Sequence, residues 1–176
     1  MDALINGDFF LPFANEASYR QMREKTRRMV FKYVDEHRAD LARTWATERP
    51  FELHLPGVVV SGRADVIFDE HDGTPDNLAI VDYKTTTAIG MEPLQLQIYA
   101  DAARREGLTV GAAFIHDLDT TKRQSVPVDE TAVASAEAEV TATVASLRNR
   151  DFTPKPAVGR CRSCDVRFVC RAAGQN

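Results

Sequence analysis

The spacing of hydrophobic positions changes several times along the chain, and each change marks an element. From Glu16 to about Arg43 the apolar residues Tyr19, Met22, Met29, Val30, Tyr33, Val34 and Leu41 recur at helical intervals, which predicts one long helix or two short ones. Pro50 stops that pattern, and F-E-L-H-L after it alternates apolar and polar residues, as a strand with one wet face would. Gly57 turns the chain into a second strand, Val58 to Phe68. A break rich in Gly, Pro, Asp and Asn follows, then the apolar run of a third strand, Leu78 to Lys84. Two Val/Ile-rich runs on either side of such a break predict an antiparallel hairpin with a long turn.

T-T-T-A-I-G-M-E reads as a loop, and Pro93 suits the first turn of a helix that runs to about Glu106 and is stopped by Gly107. Residues 110 to 118, V-G-A-A-F-I-H-D-L, form a further strand; strand, helix and strand in succession predict parallel pairing in a mixed sheet. T-K-R-Q-S-V-P-V predicts an edge strand with Pro127 near its end. Asp129 is placed to cap an Ala-rich helix to about Asn149, with Val133, Ala136, Val140, Val144 and Leu147 as its core stripe. The fold class is therefore α/β, a mixed central sheet flanked by helices. A proline-stiffened connection then leads into a C-terminal cysteine-rich loop. The division expected is a core over 1–152 and a tail over 153–176 that packs on it. Residues 1–15 lack usable periodicity and begin mid-pattern, which suggests an N-terminally truncated piece of a longer protein.

At 176 residues and 44% hydrophobic, the chain is long enough for one domain with its own core. It has no apolar run approaching the roughly 20 residues of a membrane span and no secretory-signal layout, which implies a cytoplasmic protein without a membrane partner. A net charge of −4 gives no global attraction to nucleic acid, so any binding face must come from local clustering. Between Ala17 and Arg49 there are nine Lys/Arg against five Asp/Glu. Arg20, Arg23, Arg27 and Arg28 could meet a phosphate backbone, although a solvated helix face is the commoner fate of such charges. The three cysteines all lie in the last sixteen residues, unlike a secreted disulfide framework, and the C-x2-C-x5-C spacing of Cys161, Cys164 and Cys170 points to a soft metal or an iron-sulfur site.

The candidate chemistry sits on the hairpin. Asp82 and Lys84 are i and i+2 in a strand and project to one face, Tyr83 to the other, and Asp65 in the preceding strand can face them. Carboxylate oxygens suit a hard divalent cation, and a lysine suits a phosphate or an attacking water. A lone D-x-K is weak, and a solvated strand end with a surface ion pair is the alternative. Asp82, however, follows the buried-type run Leu78 to Val81, where a carboxylate without a cation or other partner would be costly. Gln95 and Tyr99, i and i+4 on the following helix, share a face. His54 is expected to face solvent.

G-R-A-D at 62–65, D-Y-K at 82–84 and Q-L-Q-I-Y at 95–99 resemble the G-x-x-D, (D/E)-x-K and Q-x-x-x-Y motifs of the PD-(D/E)xK nuclease superfamily, in its RecB-like branch. With C-R-S-C-D-V-R-F-V-C added, the chain is similar from about Glu52 to Cys170 to the C-terminal nuclease domain of a UvrD/Rep-type helicase-nuclease with iron-sulfur cysteines. The resemblance implies a restriction-endonuclease-like core and a Mg²⁺- or Mn²⁺-dependent deoxyribonuclease. An exonuclease is favoured over an endonuclease, acting in DNA repair or recombination on single-stranded DNA delivered by a helicase motor. Asp65 and Asp82 would bind the metal with the Tyr83 carbonyl, and Lys84 would orient the attacking water. Glu52 stands where the family often has an acidic residue, and Gln95 and Tyr99 would touch DNA or active-site groups. Cys161, Cys164 and Cys170 would hold a 4Fe-4S cluster whose fourth Cys is absent from this chain, with zinc as the alternative. The family's upstream G-x-x-x-H and first Cys are also missing, which fits truncation. His37 could substitute as a ligand, but a histidine on an apolar helix face is usually packed or paired. The rival interpretation is a catalytically inactive nuclease-derived DNA-binding or structural module. The missing His and Cys support it, and the intact Asp65, Asp82 and Lys84 oppose it.

Overall fold

The computed structural model describes residues 5, 7, 9–70, 77–85, 92–162 and 164–172; most of the break between the hairpin strands and the loop over 86–91 lie outside the described residues. The chain divides into two compact units, Met1–Ala138 and Glu139–Asn176.

The first unit opens with helix α1 (Glu16–Ala42), followed by strands β1 (Thr44–Leu55), β2 (Val58–Asp69) and β3 (Leu78–Lys84), helix α2 (Glu92–Arg105), and strands β4 (Val110–Asp117) and β5 (Lys122–Val126). The five strands make one sheet in sequence order, antiparallel throughout except for the β3–β4 pair, which the α2 crossover makes parallel. The mixed α/β sheet flanked by helices is the class that the hydrophobic pattern predicts. The unbroken apolar run of β3 has its reason in position: it is the central strand, and Leu78, Ala79, Ile80 and Val81 are buried completely. Small residues on α2, Ala100 and Ala103, are also completely buried, as is Leu96 beside them. Truncating a core side chain such as Leu96 or Phe51 would cost about 2–5 kcal/mol.

Two boundaries differ from the sequence pattern. Helix α1 ends at Ala42, and β1 already begins at Thr44, so Pro50 lies within a strand instead of ending a helix. Thr44, Trp45 and Thr47 are strand formers, and β1 is an edge strand, where a residue without an N–H is tolerated. Within α1 the backbone leaves helical geometry at His37 (φ −123°, ψ 26°), so the one-or-two-helix alternative resolves as one element broken there. Asn15 caps its start by accepting the Ser18 N–H at 2.8 Å.

Helix α3 (Glu130–Arg148) begins in the first unit, capped as expected by Asp129, whose Oδ1 accepts the Ala132 N–H at 3.0 Å. Its apolar stripe is only partly core: Ala136 is buried, whereas Leu147 is 54% exposed. The second unit holds the rest of α3, the short helix α4 (Val158–Arg162) and the turns that carry Cys164 and Cys170.

Candidate active site

The β2–β3 ladder pairs Asp69 with Leu78 and continues to Val66 opposite Val81, and pairing stops there. Asp65 and Asp82 occupy the next positions, where the two strands part. Asp65 turns its carboxylate toward β3, and its Oδ2 accepts the Tyr83 N–H at 2.7 Å. Asp82 is only 5% exposed, and the Lys84 ammonium lies 2.8 Å from its Oδ2. Tyr83 packs on the opposite face, against the buried cluster of Val66, Phe68 and Val81. Its hydroxyl is 2.5 Å from that of Tyr33 on α1, and burial, reinforced by this bond, pushes the Tyr83 phenol well above its ordinary pKa. Strand alternation thus does two things at once: it anchors Tyr83 in the core and sets Asp82 and Lys84 together on the other side, with Asp65 fastened to the peptide between them.

The family model described as "PD-(D/E)XK nuclease superfamily" matches residues 6–171, nearly the whole chain. The chain belongs to the PD-(D/E)XK nuclease superfamily. Among solved structures, one described as "Putative exonuclease" from Eubacterium rectale shares the fold, with a TM-score of 0.50 and 16% identity over 91% of this chain and 64% of that one. Another, described as SSO0001, gives a TM-score of 0.43 and 20% identity over 73% of this chain and 60% of that one. The chain thus spans less than two thirds of the length of either structure. No curated protein gives a match.

In this member of the PD-(D/E)XK superfamily the Q-x-x-x-Y pair holds the strand that carries Asp65. Gln95 Nε2 donates to the Tyr99 hydroxyl at 3.0 Å, and the same oxygen accepts the Arg63 N–H at 3.0 Å. The Tyr99 ring lies so close to Gly62 that a Cβ there would be 2.4 Å from the hydroxyl oxygen, which is why the G-x-x-D motif needs its glycine. Glu52 is not brought to the site. It pairs in register with Ser61, four residues or about 13 Å along the strand from Asp65, and its carboxylate faces His54 at 3.5 Å. Glu48 takes the position opposite Asp65, with a left-handed backbone (φ 51°) and its carboxylate 3.8 Å from Arg63.

Among the described residues no three His, Cys, Asp or Glu side chains come together as a metal-holding group. A metal at the hairpin would rest on two carboxylates, a main-chain oxygen and water, which is how Mg²⁺ is commonly held. The same finding bears on Cys161, Cys164 and Cys170. All three are free, half-buried thiols, and among the described residues they are not gathered into a group of three that could hold a metal. No helix among the described residues is long and apolar enough to cross a membrane. On α1 the basic residues belong to a solvated face: Arg20 pairs with Glu16 at 3.7 Å and Arg27 with Glu24 at 3.8 Å.

Behind Tyr83 lies a buried polar cluster that no motif or hydrophobic period predicts. Asp40, 8% exposed, accepts from Arg43 at 2.7 Å and from Arg123 of β5 at 2.6 Å. Burial alone would raise its carboxyl, but these hydrogen bonds prevail and hold it below the ordinary carboxylate range. His37 is paired with Asp40 at 3.4 Å and stacked on Tyr33, so it is not a free ligand. His116 is completely buried, edge-on to Tyr33, His37 and Tyr83, and its Nδ1 faces Arg123 Nε at 3.4 Å.

Burial first, then the charge of Arg123 and the neighbouring His37, pulls the His116 pKa down to about 4. On unfolding it returns toward about 6.5, so between these values the unfolded chain binds a proton that the folded chain refuses, and stability falls as pH falls. The expected loss is about 2 kcal/mol between pH 7 and pH 5. Urea unfolding at the two pH values measures it, and His116→Phe should flatten the difference. An equal loss in that variant would assign the acid sensitivity elsewhere.

Proposed function

We propose that this protein is a divalent-metal-dependent deoxyribonuclease that hydrolyses phosphodiester bonds of single-stranded DNA, working from strand ends. The observation that carries the proposal is the bond of Asp65 to the Tyr83 N–H, between the paired Asp82 and Lys84, where β2 and β3 part, within a family of nucleases. Asp65 and Asp82 would hold Mg²⁺ or Mn²⁺ with the Tyr83 carbonyl. When bound, such an ion polarises a phosphoryl oxygen and acidifies a water. Lys84, 2.8 Å from Asp82, orients the attacking water and faces the negative charge that develops on the phosphoryl oxygens. Asp65 fixes the peptide of Tyr83, and so the spacing between the two D-Y-K side chains. The proposed setting is the nuclease part of an ATP-driven helicase-nuclease in DNA repair or recombination, where tethering to a motor keeps the strand end at high effective concentration. That setting rests on the RecB-like order of the G-R-A-D, D-Y-K and Q-L-Q-I-Y motifs.

End-labelled single-stranded DNA, duplex DNA and RNA offered with Mn²⁺ test the proposal. Wild type should shorten the labelled single strand progressively. Lys84→Ala should keep Mn²⁺ binding by calorimetry yet cleave about a hundredfold more slowly. Metal-independent cleavage, or equal rates for wild type and Lys84→Ala, would overturn the assignment.

A further inference from the structure

Beside Asp65 a cavity of about 680 Å³ opens between α1 and the sheet. Its size lies within the range of small-molecule sites, roughly 300–1,000 Å³. The walls are mainly apolar and aromatic: Met29, Val30 and Tyr33 from the helix, Phe68 and Tyr83 from the sheet. Among the described residues the lining has the carboxylates of Glu48 and Asp65 but no Lys, Arg or His. A phosphate would therefore find no cationic partner inside and two negative groups in the wall. The occupant that fits is uncharged, flat and able to lie against tyrosine and phenylalanine rings, while it is joined to an anion held outside. Leu41, 44% exposed on the same lining, is the kind of uncovered apolar side chain that such an occupant would shield from water.

We infer that this cavity is a base-binding subsite: it receives one unpaired nucleobase of the strand whose phosphate lies at Asp65. The inference rests on the nuclease function proposed above and extends it to substrate choice. A paired base cannot leave its stack without an energetic cost, so a site that takes up a base favours single strands and frayed ends over intact duplex. Stacking on aromatic walls accepts every base, because each has a π-face, so cleavage would show little sequence preference. The wall and the catalytic strand are joined through Asp65. Tyr83 lines the cavity with its ring and its N–H binds Asp65, which lines the cavity as well, so a base lodged against that ring is tied to the hairpin at Asp65, while Asp82 and Lys84 project from the other face of β3.

The test uses the full chain with a single-stranded oligonucleotide carrying 2-aminopurine in turn at each of its first three nucleotides, in Ca²⁺ so that binding is read without turnover. Wild type should quench the fluorophore at one position. An abasic residue at that position should weaken binding about tenfold. Val30→Trp, which fills the cavity from the helix side, should abolish the quenching and weaken the normal strand about tenfold, with no effect on the abasic one. If Val30→Trp does not fold, Met29→Ala with Met29→Leu as its conservative partner makes the same comparison. Tight binding without quenching at any position, or equal weakening of normal and abasic strands by the variant, overturns the subsite. In a parallel Mn²⁺ assay, cleavage of normal and abasic strands with the same KM would remove the subsite and leave the nuclease assignment standing. Absence of both binding and cleavage in wild type would remove the nuclease assignment itself.

Discussion

Asp82→Asn should lower Mn²⁺-dependent cleavage of single-stranded DNA by about a thousandfold or more while the protein stays folded. The substitution keeps the shape of the side chain and removes its charge. Asp82 is nearly inaccessible at the end of the central strand and sits 2.8 Å from Lys84. Without the carboxylate, the proposed metal loses one of two anionic ligands and Lys84 loses the anion beside it. Both effects fall on the transition state more than on substrate binding, so kcat should carry most of the loss. Stability should fall only in part: Lys84 loses its buried partner, but it is 29% exposed, so water can take the place of the carboxylate. Calorimetry with Mn²⁺, single-turnover cleavage and thermal unfolding on the same preparation separate these contributions. Wild-type cleavage by Asp82→Asn would mean that the hairpin is not the reaction centre.

Much of the central scaffold was legible because its sequence signals are local. The Leu78–Val81 run, the Gly/Pro/Asp/Asn break before it and the helix after it each carry one element, and their order dictates an antiparallel and then a parallel pairing at β3. The D-Y-K spacing was enough to put Asp82 and Lys84 on one face. The edges were less legible. Pro50 marks a helix stop only if the chain around it is helical; on an edge strand it is silent, and the start of β1 was missed for that reason. Glu52 was named because it stands where the resembling family often has an acidic residue, and nothing in the sequence singled out Glu48. Register decides which acidic residue faces Asp65, and register depends on partners far away in sequence. Gly62 could be recognised as a motif glycine, but its reason, the Tyr99 ring lying on it, exists only once α2 has crossed the sheet. The same holds for Asp40, Arg123 and His116. Each reads as a surface or neutral position until α1 lies across β3, β4 and β5.

Asp40→Ala should destabilise the protein by about 3 kcal/mol, because removing one member of a buried charged group leaves its partners uncompensated. For a chain of this size, that corresponds to a melting temperature lower by about 6–12 °C. The estimate lies at the low end of the range for buried pairs because Arg43 is 35% exposed and Arg123 20% exposed, so water can partly replace the lost carboxylate. Arg43→Ala should cost less, since Asp40 keeps Arg123. The effect should also depend on pH in a defined direction. The folded pKa of Asp40 lies below its ordinary value of 3.8, so its stabilisation is present in full above that value and is lost as pH falls through the folded pKa. Wild type and Asp40→Ala should therefore differ at pH 7 and converge toward pH 2, as read by urea unfolding. The network ties the last turn of α1 to β5 behind Tyr83, and none of its charges is needed at Asp65, Asp82 or Lys84. Below its melting point the variant should cleave DNA at close to the wild-type rate. A large fall in kcat with the stability unchanged would instead make the Asp40–Arg123 pair part of the catalytic apparatus, acting through Tyr33 and Tyr83 on the D-Y-K strand.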